Sequence, residues 1–433
     1  MASQARSAQL NEELGDAEAR DAGAAERARP IPRISIQAFC DDQGSAEALQ
    51  YAAEDRRLAK AHVSVHMGGI AAAVAHYVDS PTPNLIIVDS GLKGGQLLGE
   101  LDALAQSCDP GTKVIVIGRY NDVLLYRELL KRGVSEYLVS PIDPMGLMES
   151  ISNLYNNPDT DPVGHVFAFI GAKGGVGSST ICHNVAWTLS EVLKSDVTIA
   201  DLDLAFGTTG LDFNQDPVQG IAEALATPER LDDQLLDRLL TKCSEHLSIF
   251  AAPVVLDRDY EISPDACDMV IDVVRQNVPY VALDLPHGWT PWTKRLLLQA
   301  DEVIITAVPD LANLRNAKNI VDLLKQSRKN DSKPLLVLNM ANVAKRQEIT
   351  VKEFEQALDI KAIAMIDYDA ETFSQAANNG QMIEELHGKA KSVERFKEIA
   401  MAMTHRRDLK ADKPQPSGLS MLAPLLEKLN FKR

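Results

Sequence analysis

The segment 167–180, Phe-Ala-Phe-Ile-Gly-Ala-Lys-Gly-Gly-Val-Gly-Ser-Ser-Thr, constrains the chain more than any other. An apolar run meets a glycine-rich turn and then a helix-forming stretch. That order predicts a strand ending in a loop whose backbone N–H groups turn inward on an anion. The positive end of the next helix aims at the same place. Gly174, Gly175 and Gly177 supply the backbone freedom, with Val176 between them. A standard phosphate-binding loop reads GxxxxGK[ST]. Here Ala172 fills the first glycine slot and Ser178 the lysine slot, so the point charge near the outer phosphates is missing. Ser179 stands where a hydroxyl binds Mg²⁺, Thr180 follows, and a second lysine, Lys173, comes early.

A chain of 433 residues is too long for one ordinary core. Its texture predicts five parts. Residues 1–33 lack aromatic residues and read as a disordered tail. Residues 34–155 alternate short apolar runs with amphipathic stretches, and 85–89 (Leu-Ile-Ile-Val-Asp) is a strand ending in a carboxylate. Residues 156–164 are turn formers and read as a linker. A second strand–helix series fills 165–408, and a polar, Pro-containing tail with a short amphipathic segment ends the chain at 409–433. Strands alternating with helices imply α/β architecture: two doubly wound domains on parallel sheets.

The formal net charge of −17 argues against coating nucleic acid, which takes enough Lys and Arg to release counterions. The five cysteines, Cys40, Cys108, Cys182, Cys243 and Cys267, are scattered, which predicts reduced thiols in a cytosol. No apolar h-region opens the chain, and no run approaches the roughly 20 apolar residues of a membrane span.

The run Lys-Gly-Gly-Val-Gly at 173–177 resembles the deviant Walker A loop of the ParA/MinD superfamily, partition and septum-positioning ATPases. The resemblance implies a P-loop NTPase that binds ATP and Mg²⁺. It also implies that Lys173 reaches the phosphates of a partner in a nucleotide-sandwich homodimer. Three further elements resemble the superfamily in the same order. The stretch 201–207 (Asp-Leu-Asp-Leu-Ala-Phe-Gly) is like switch I, where Asp203 would help place the attacking water and join the Mg²⁺ shell. The stretch 283–288 (Leu-Asp-Leu-Pro-His-Gly) is like the Walker B and switch II motif. There Asp284 would hold Mg²⁺ through water and the Gly288 amide would face the γ-phosphate. Asn339 would read adenine, and Asp367 begins a stretch like the late loop that covers the base. Nitrogenase-like relatives need paired cysteines, which this chain lacks.

Residues 34–155 resemble a response-regulator receiver. Asp89 takes the phosphoacceptor position, and Asp41 and Asp42 the Mg²⁺-holding one. The receiver lysine is replaced by Ser140, and the hydroxyl after the fourth strand by Gly118. Phosphoryl transfer is mostly charge stabilisation, so these losses predict a degenerate receiver with Asp89 vestigial.

A degenerate receiver fused to this ATPase-like domain resembles the TadZ/CpaE family of Flp/Tad pilus-assembly proteins. That resemblance implies a cytoplasmic localisation factor at the inner membrane face or a pole. Its partners would be a second copy and other pilus-assembly and secretion proteins, with no specific nucleic acid. Residues 419–433 place Leu422, Leu425, Leu426, Leu429 and Phe431 near Lys428, Lys432 and Arg433. That pattern suits a weak peripheral membrane contact or a protein contact. Three rivals remain: a partition or septum-positioning ATPase with a basic face (Lys294, Arg295, Arg315, Lys318, Arg328, Lys329), a phosphorylation-controlled output protein, and a scaffold without nucleotide.

Overall fold

The computed structural model describes residues 31, 34–78, 80–109, 111–155, 164–253 and 260–404. The expected tails, apart from Ile31, and the linker up to residue 163 lie outside the described residues.

Within 34–155, β1 (Ser35–Cys40), β2 (His62–Met67), β3 (Leu85–Ser90), β4 (Lys113–Gly118) and β5 (Glu136–Val139) form one sheet in the order β2-β1-β3-β4-β5. Every pairing is parallel. This is the flavodoxin-like order, whose switch point lies between β1 and β3. All six residues of β3 are buried, as a strand with both faces covered requires. The helices begin on side-chain caps that satisfy free N–H groups. Asp42 accepts from the Ser45 amide, and Asp122 from those of Leu124 and Leu125. One apolar layer gathers Ile36, Ala38, Leu49, Ile87 and Met148; the opposite layer gathers Phe39, Ile86, Val88, Leu101 and Leu129.

The second domain contains β6 (His165–Gly171), β7 (Val197–Asp201), β8 (Thr241–Lys242), β9 (Leu247–Phe250), β10 (Tyr280–Asp284), β11 (Glu302–Ala307), β12 (Leu335–Ala341) and β13 (Ala362–Asp367). Their order is β13-β12-β11-β6-β10-β7-β9-β8, which puts β6 inside the sheet. Every pairing in this sheet is parallel except at its edge, where the two-residue β8 pairs antiparallel with β9. It is too short to leave a hydrophobic pattern in the sequence.

Two boundaries also move. Ile31, assigned to the tail, is 1% exposed and its N–H donates to the Arg57 carbonyl at 2.8 Å. It packs with the first core. Gly164, assigned to the linker, is buried in the second domain, and its N–H donates to the Arg275 carbonyl at 2.6 Å. A Cβ there would lie 1.9 Å from the Val278 carbonyl oxygen, so glycine is required.

The domains meet through buried charge. Asp331 accepts from Arg56 at 2.5 Å, Arg57 lies 2.6 Å from its other oxygen, and Arg328 of its own domain lies at 2.6 Å. Arg56 also donates to the Gln299 carbonyl at 3.0 Å. Tyr51 donates to Asn330 at 2.6 Å, Asn330 to Asp55 at 3.0 Å, and Lys60 pairs with Asp272. Arg56 and Arg57 precede β2, while Asp331 precedes β12. The contact therefore joins the amino ends of both sheets and leaves both carboxyl ends, where such folds bind ligands, facing elsewhere.

Candidate functional site

The loop after β6 forms as its composition dictates. Gly175 and Gly177 have φ of +78° and +83°, conformations that side-chained residues rarely adopt. A Cβ on Gly177 would sit 2.6 Å from the Asn339 amide nitrogen. The loop feeds the helix Ser178–Trp187, and Lys173, Gly174 and Gly175 are exposed at its tip. Lys173 stands near Asp310. Burial pushes the Asp310 carboxyl up, but bonds from Asn313 and the lysine's charge bring it below its ordinary value. The Ser178 hydroxyl is buried and has no hydrogen-bond partner among protein atoms. A buried hydroxyl left so costs about 1–3 kcal/mol, and a phosphate oxygen supplies the acceptor it lacks. The residues present therefore fit a phosphate, with a neutral donor where the usual loop has a cation.

Ser179 donates to Asp284 at 3.1 Å, joining the hydroxyl and carboxylate expected to hold Mg²⁺. Asp284 ends β10 in register with Asp201 of β7 and is 2% exposed. Asp201 is pushed up to about 6, first by burial and then by the charge of Asp284. The Thr209 hydroxyl relieves it, donating to Asp201 at 2.7 Å. A crowded pair of carboxylates beside a hydroxyl is a donor set suited to a hard cation with oxygen ligands. Among the described residues no group of three or more His, Cys, Asp or Glu has a ready-made metal-binding arrangement.

The other expected residues are placed as follows. Asp203 accepts from the Phe206 amide at 3.0 Å, so its carboxylate braces its own turn. The Gly288 amide donates to the Pro286 carbonyl at 2.8 Å, inside a tight turn. His287 beside it reaches the Gly171 carbonyl at 3.2 Å, which ties this turn to the loop. Asn339, expected to read adenine, ends up next to the phosphate loop. It is 3% exposed and its amide donates to the Val176 carbonyl at 2.8 Å, so it supports the loop from beneath. Asp367 is exposed and accepts from Asn342 at 2.7 Å. Met340 and Asn342, just past Asn339, have φ of 49° and 59°.

His183 carries no sequence motif, yet it lies at the centre of the cluster. It is fully buried on the helix Ser178–Trp187, with Nδ1 2.8 Å from Asp212 and Nε2 3.4 Å from Asp284. The signal was its spacing: four residues after Ser179, it shares that residue's helix face.

In the first domain Asp89 is completely buried. It accepts from the Asp42 amide at 2.9 Å and lies 3.5 Å from the Arg119 guanidinium. Arg119, which follows β4, is the cation beside Asp89. The absent hydroxyl at Gly118 is also explained: a Cβ there would lie 2.3 Å from the Tyr137 hydroxyl, which donates to the Tyr120 carbonyl at 2.8 Å. The space a switch would use is filled by a fixed ring.

No family model matches the chain. Among curated proteins, the septum site-determining protein MinD of Bacillus subtilis (strain 168) is 24% identical over 235 residues, 51% of this chain and 82% of that protein. Among solved structures, a ParA family ATPase from Chlorobium tepidum TLS is 25% identical, with a TM-score of 0.51, covering 55% of this chain and 98% of that one. A pilus assembly protein CpaE from Caulobacter crescentus CB15 is 48% identical, covering 29% of this chain and 97% of that one, with a TM-score of 0.29. Fold and loop together define a P-loop NTPase of the ParA/MinD type joined to a receiver-like domain. The sequence identity to CpaE, which spans nearly all of that solved chain, then fixes the family: the chain belongs to the CpaE pilus assembly proteins.

Proposed function

We propose that this chain is an ATP-binding localisation factor for assembly of a Flp/Tad-type pilus, switched by nucleotide-dependent dimerisation and slow to hydrolyse ATP. The observation that carries the reading is the buried, unpartnered Ser178 hydroxyl inside a glycine loop whose lysine, Lys173, is exposed at the tip. Gly174, Gly175, Val176, Gly177, Ser178, Ser179 and Thr180 would cradle the phosphates. Ser179, Asp203 and Asp284, with Asp284 acting through water, would hold Mg²⁺, which when bound neutralises phosphate charge. Gly288 would face the outermost phosphate once its turn opens, and Asn339 and Asp367 lie at the strand ends where the base would rest. Asp203 would orient water. Slow turnover follows from the serine at 178, since one lost charged contact amounts to about 1.5–3 kcal/mol.

Exposed apolar side chains support a second copy as the partner. Phe206 and Leu211 follow β7, Trp289 follows β10, and Leu311 follows β11, all at the carboxyl ends beside the loop. Lys173 would complete the partner's site across that face. Association would then present two receiver-like domains to pilus-assembly and secretion partners at the cytoplasmic face of the membrane. No helix among the described residues is long and apolar enough to cross a membrane. The role proposed for 419–433 lies outside the described residues. A DNA-binding face has less support: Arg295 pairs with Asp268, Lys318 with Asp322, and Arg328 is buried in the domain junction.

Titration of the full chain with ATP tests the reading. Saturable binding, strengthened by Mg²⁺ and weakened in Ser179→Ala, is expected. No binding at millimolar ATP overturns it.

A further inference from the structure

Both ring nitrogens of His183 face polar partners. Nδ1 lies 2.8 Å from a carboxylate oxygen of Asp212. Nε2 lies 3.1 Å from the Thr209 hydroxyl and 3.4 Å from Asp284. The Thr209 hydroxyl also lies 2.7 Å from Asp201. The ring is thus fully buried, with both nitrogens engaged, between Asp212 on one side and Thr209 and Asp284 on the other.

The two ends of this clasp belong to different elements. Asp284 ends β10 and also accepts from Ser179 at the phosphate loop. Asp212 closes the short helix Thr209–Asp212, where it also accepts from Thr208 at 3.1 Å. That helix carries Leu211, 73% exposed, and follows the turn bearing Phe206, 75% exposed. Its other side is closely backed, since a Cβ on Gly380 would lie 2.7 Å from the Leu211 carbonyl.

We infer that His183 is a positioning residue that ties the 208–212 segment to Asp284, so that occupancy of the phosphate loop sets how firmly Phe206 and Leu211 are presented at the surface. The inference rests on the proposed nucleotide site at Asp284. When Asp284 turns to a bound ligand, its contact with the His183 ring changes, and the ring passes that change to Asp212. Two discrete hydrogen-bonding partners on one rigid ring give the coupling a physical carrier.

Hydrogen exchange of the full chain, with and without ATP·Mg²⁺, tests it. In the wild type, nucleotide slows exchange across 204–213 by about tenfold. Asp212→Asn, which lies outside the nucleotide site, binds nucleotide but loses most of that slowing, and His183→Gln loses it too. A merely structural histidine would instead speed exchange in both states and leave the nucleotide-dependent difference intact. Full slowing retained in Asp212→Asn overturns the inference while leaving the proposed function standing. Absence of nucleotide binding by the wild type overturns both, and the titration identifies that case separately. Should His183→Gln fail to fold, Asp212→Asn alone decides.

Discussion

Asp331→Asn should loosen the two domains from one another. The carboxylate is 4% exposed and neutralises Arg56 and Arg57 of the first domain together with Arg328 of its own. Burial pushes Asp331 up, but Arg56, Arg328 and Arg57 hold it down, from 3.8 to about 2. That difference corresponds to about 2 kcal/mol in favour of the ionised form. Asparagine keeps the shape and removes the charge. The loss should therefore be at least that large, approaching the roughly 3–5 kcal/mol of a broken buried ion pair. The sign follows from the depressed folded value. The contribution is whole above about pH 4 and is lost as pH falls through about 2. The three tryptophans, Trp187, Trp289 and Trp292, all lie in the second domain. Tryptophan fluorescence thus follows that domain alone, while circular dichroism follows both. In urea at pH 7 the wild type should show coincident transitions. In Asp331→Asn the dichroism should fall first, because the first domain unfolds separately. A variant within about 0.5 kcal/mol of wild type, with the two probes still coincident, would refute the view that this junction holds the domains together.

Ser178→Lys should raise nucleotide affinity or turnover, by about 10-fold or more for one restored charged contact; a titration and a phosphate-release assay showing no gain in either would contradict the reading of the loop. Asp284→Asn should weaken the Mg²⁺ dependence of ATP binding while leaving much of the metal-free binding, as a Mg²⁺ titration at fixed ATP would show. Asp89 should take up no label from acetyl phosphate, being fully buried beside Arg119; stoichiometric labelling of the wild type would restore a working receiver. Gly118→Thr should destabilise the first domain by about 1–3 kcal/mol, since its Cβ would collide with Tyr137, and thermal unfolding would measure it.

Both sheets were legible because their strands are mostly short apolar runs punctuated by turn formers, the two-residue β8 excepted. The phosphate loop was legible because glycine spacing is a backbone requirement written directly in the chain. What escaped was everything that depends on distant partners. Arg56 and Asp331 are 275 residues apart, and nothing local marks either as one side of a buried pair. The lysine missing at Ser140 could be read from the chain, while the approach of Arg119 to Asp89, 30 residues earlier, could not. Asn339 was read from its strand-end position, but which way its amide turns is set by Val176, 163 residues away. His183 had a visible spacing from Ser179, yet its meaning came only with Asp212 and Asp284.

The central claim is that nucleotide on this lysine-poor loop brings two copies together through Lys173. Light scattering of the full chain at saturating ATP·Mg²⁺ tests it most directly. The account predicts a doubling of mass from the 47.3 kDa of one chain in the wild type, and a single-chain mass for Lys173→Ala under the same conditions. Identical masses with and without nucleotide in the wild type, at concentrations where ATP is bound, would contradict it.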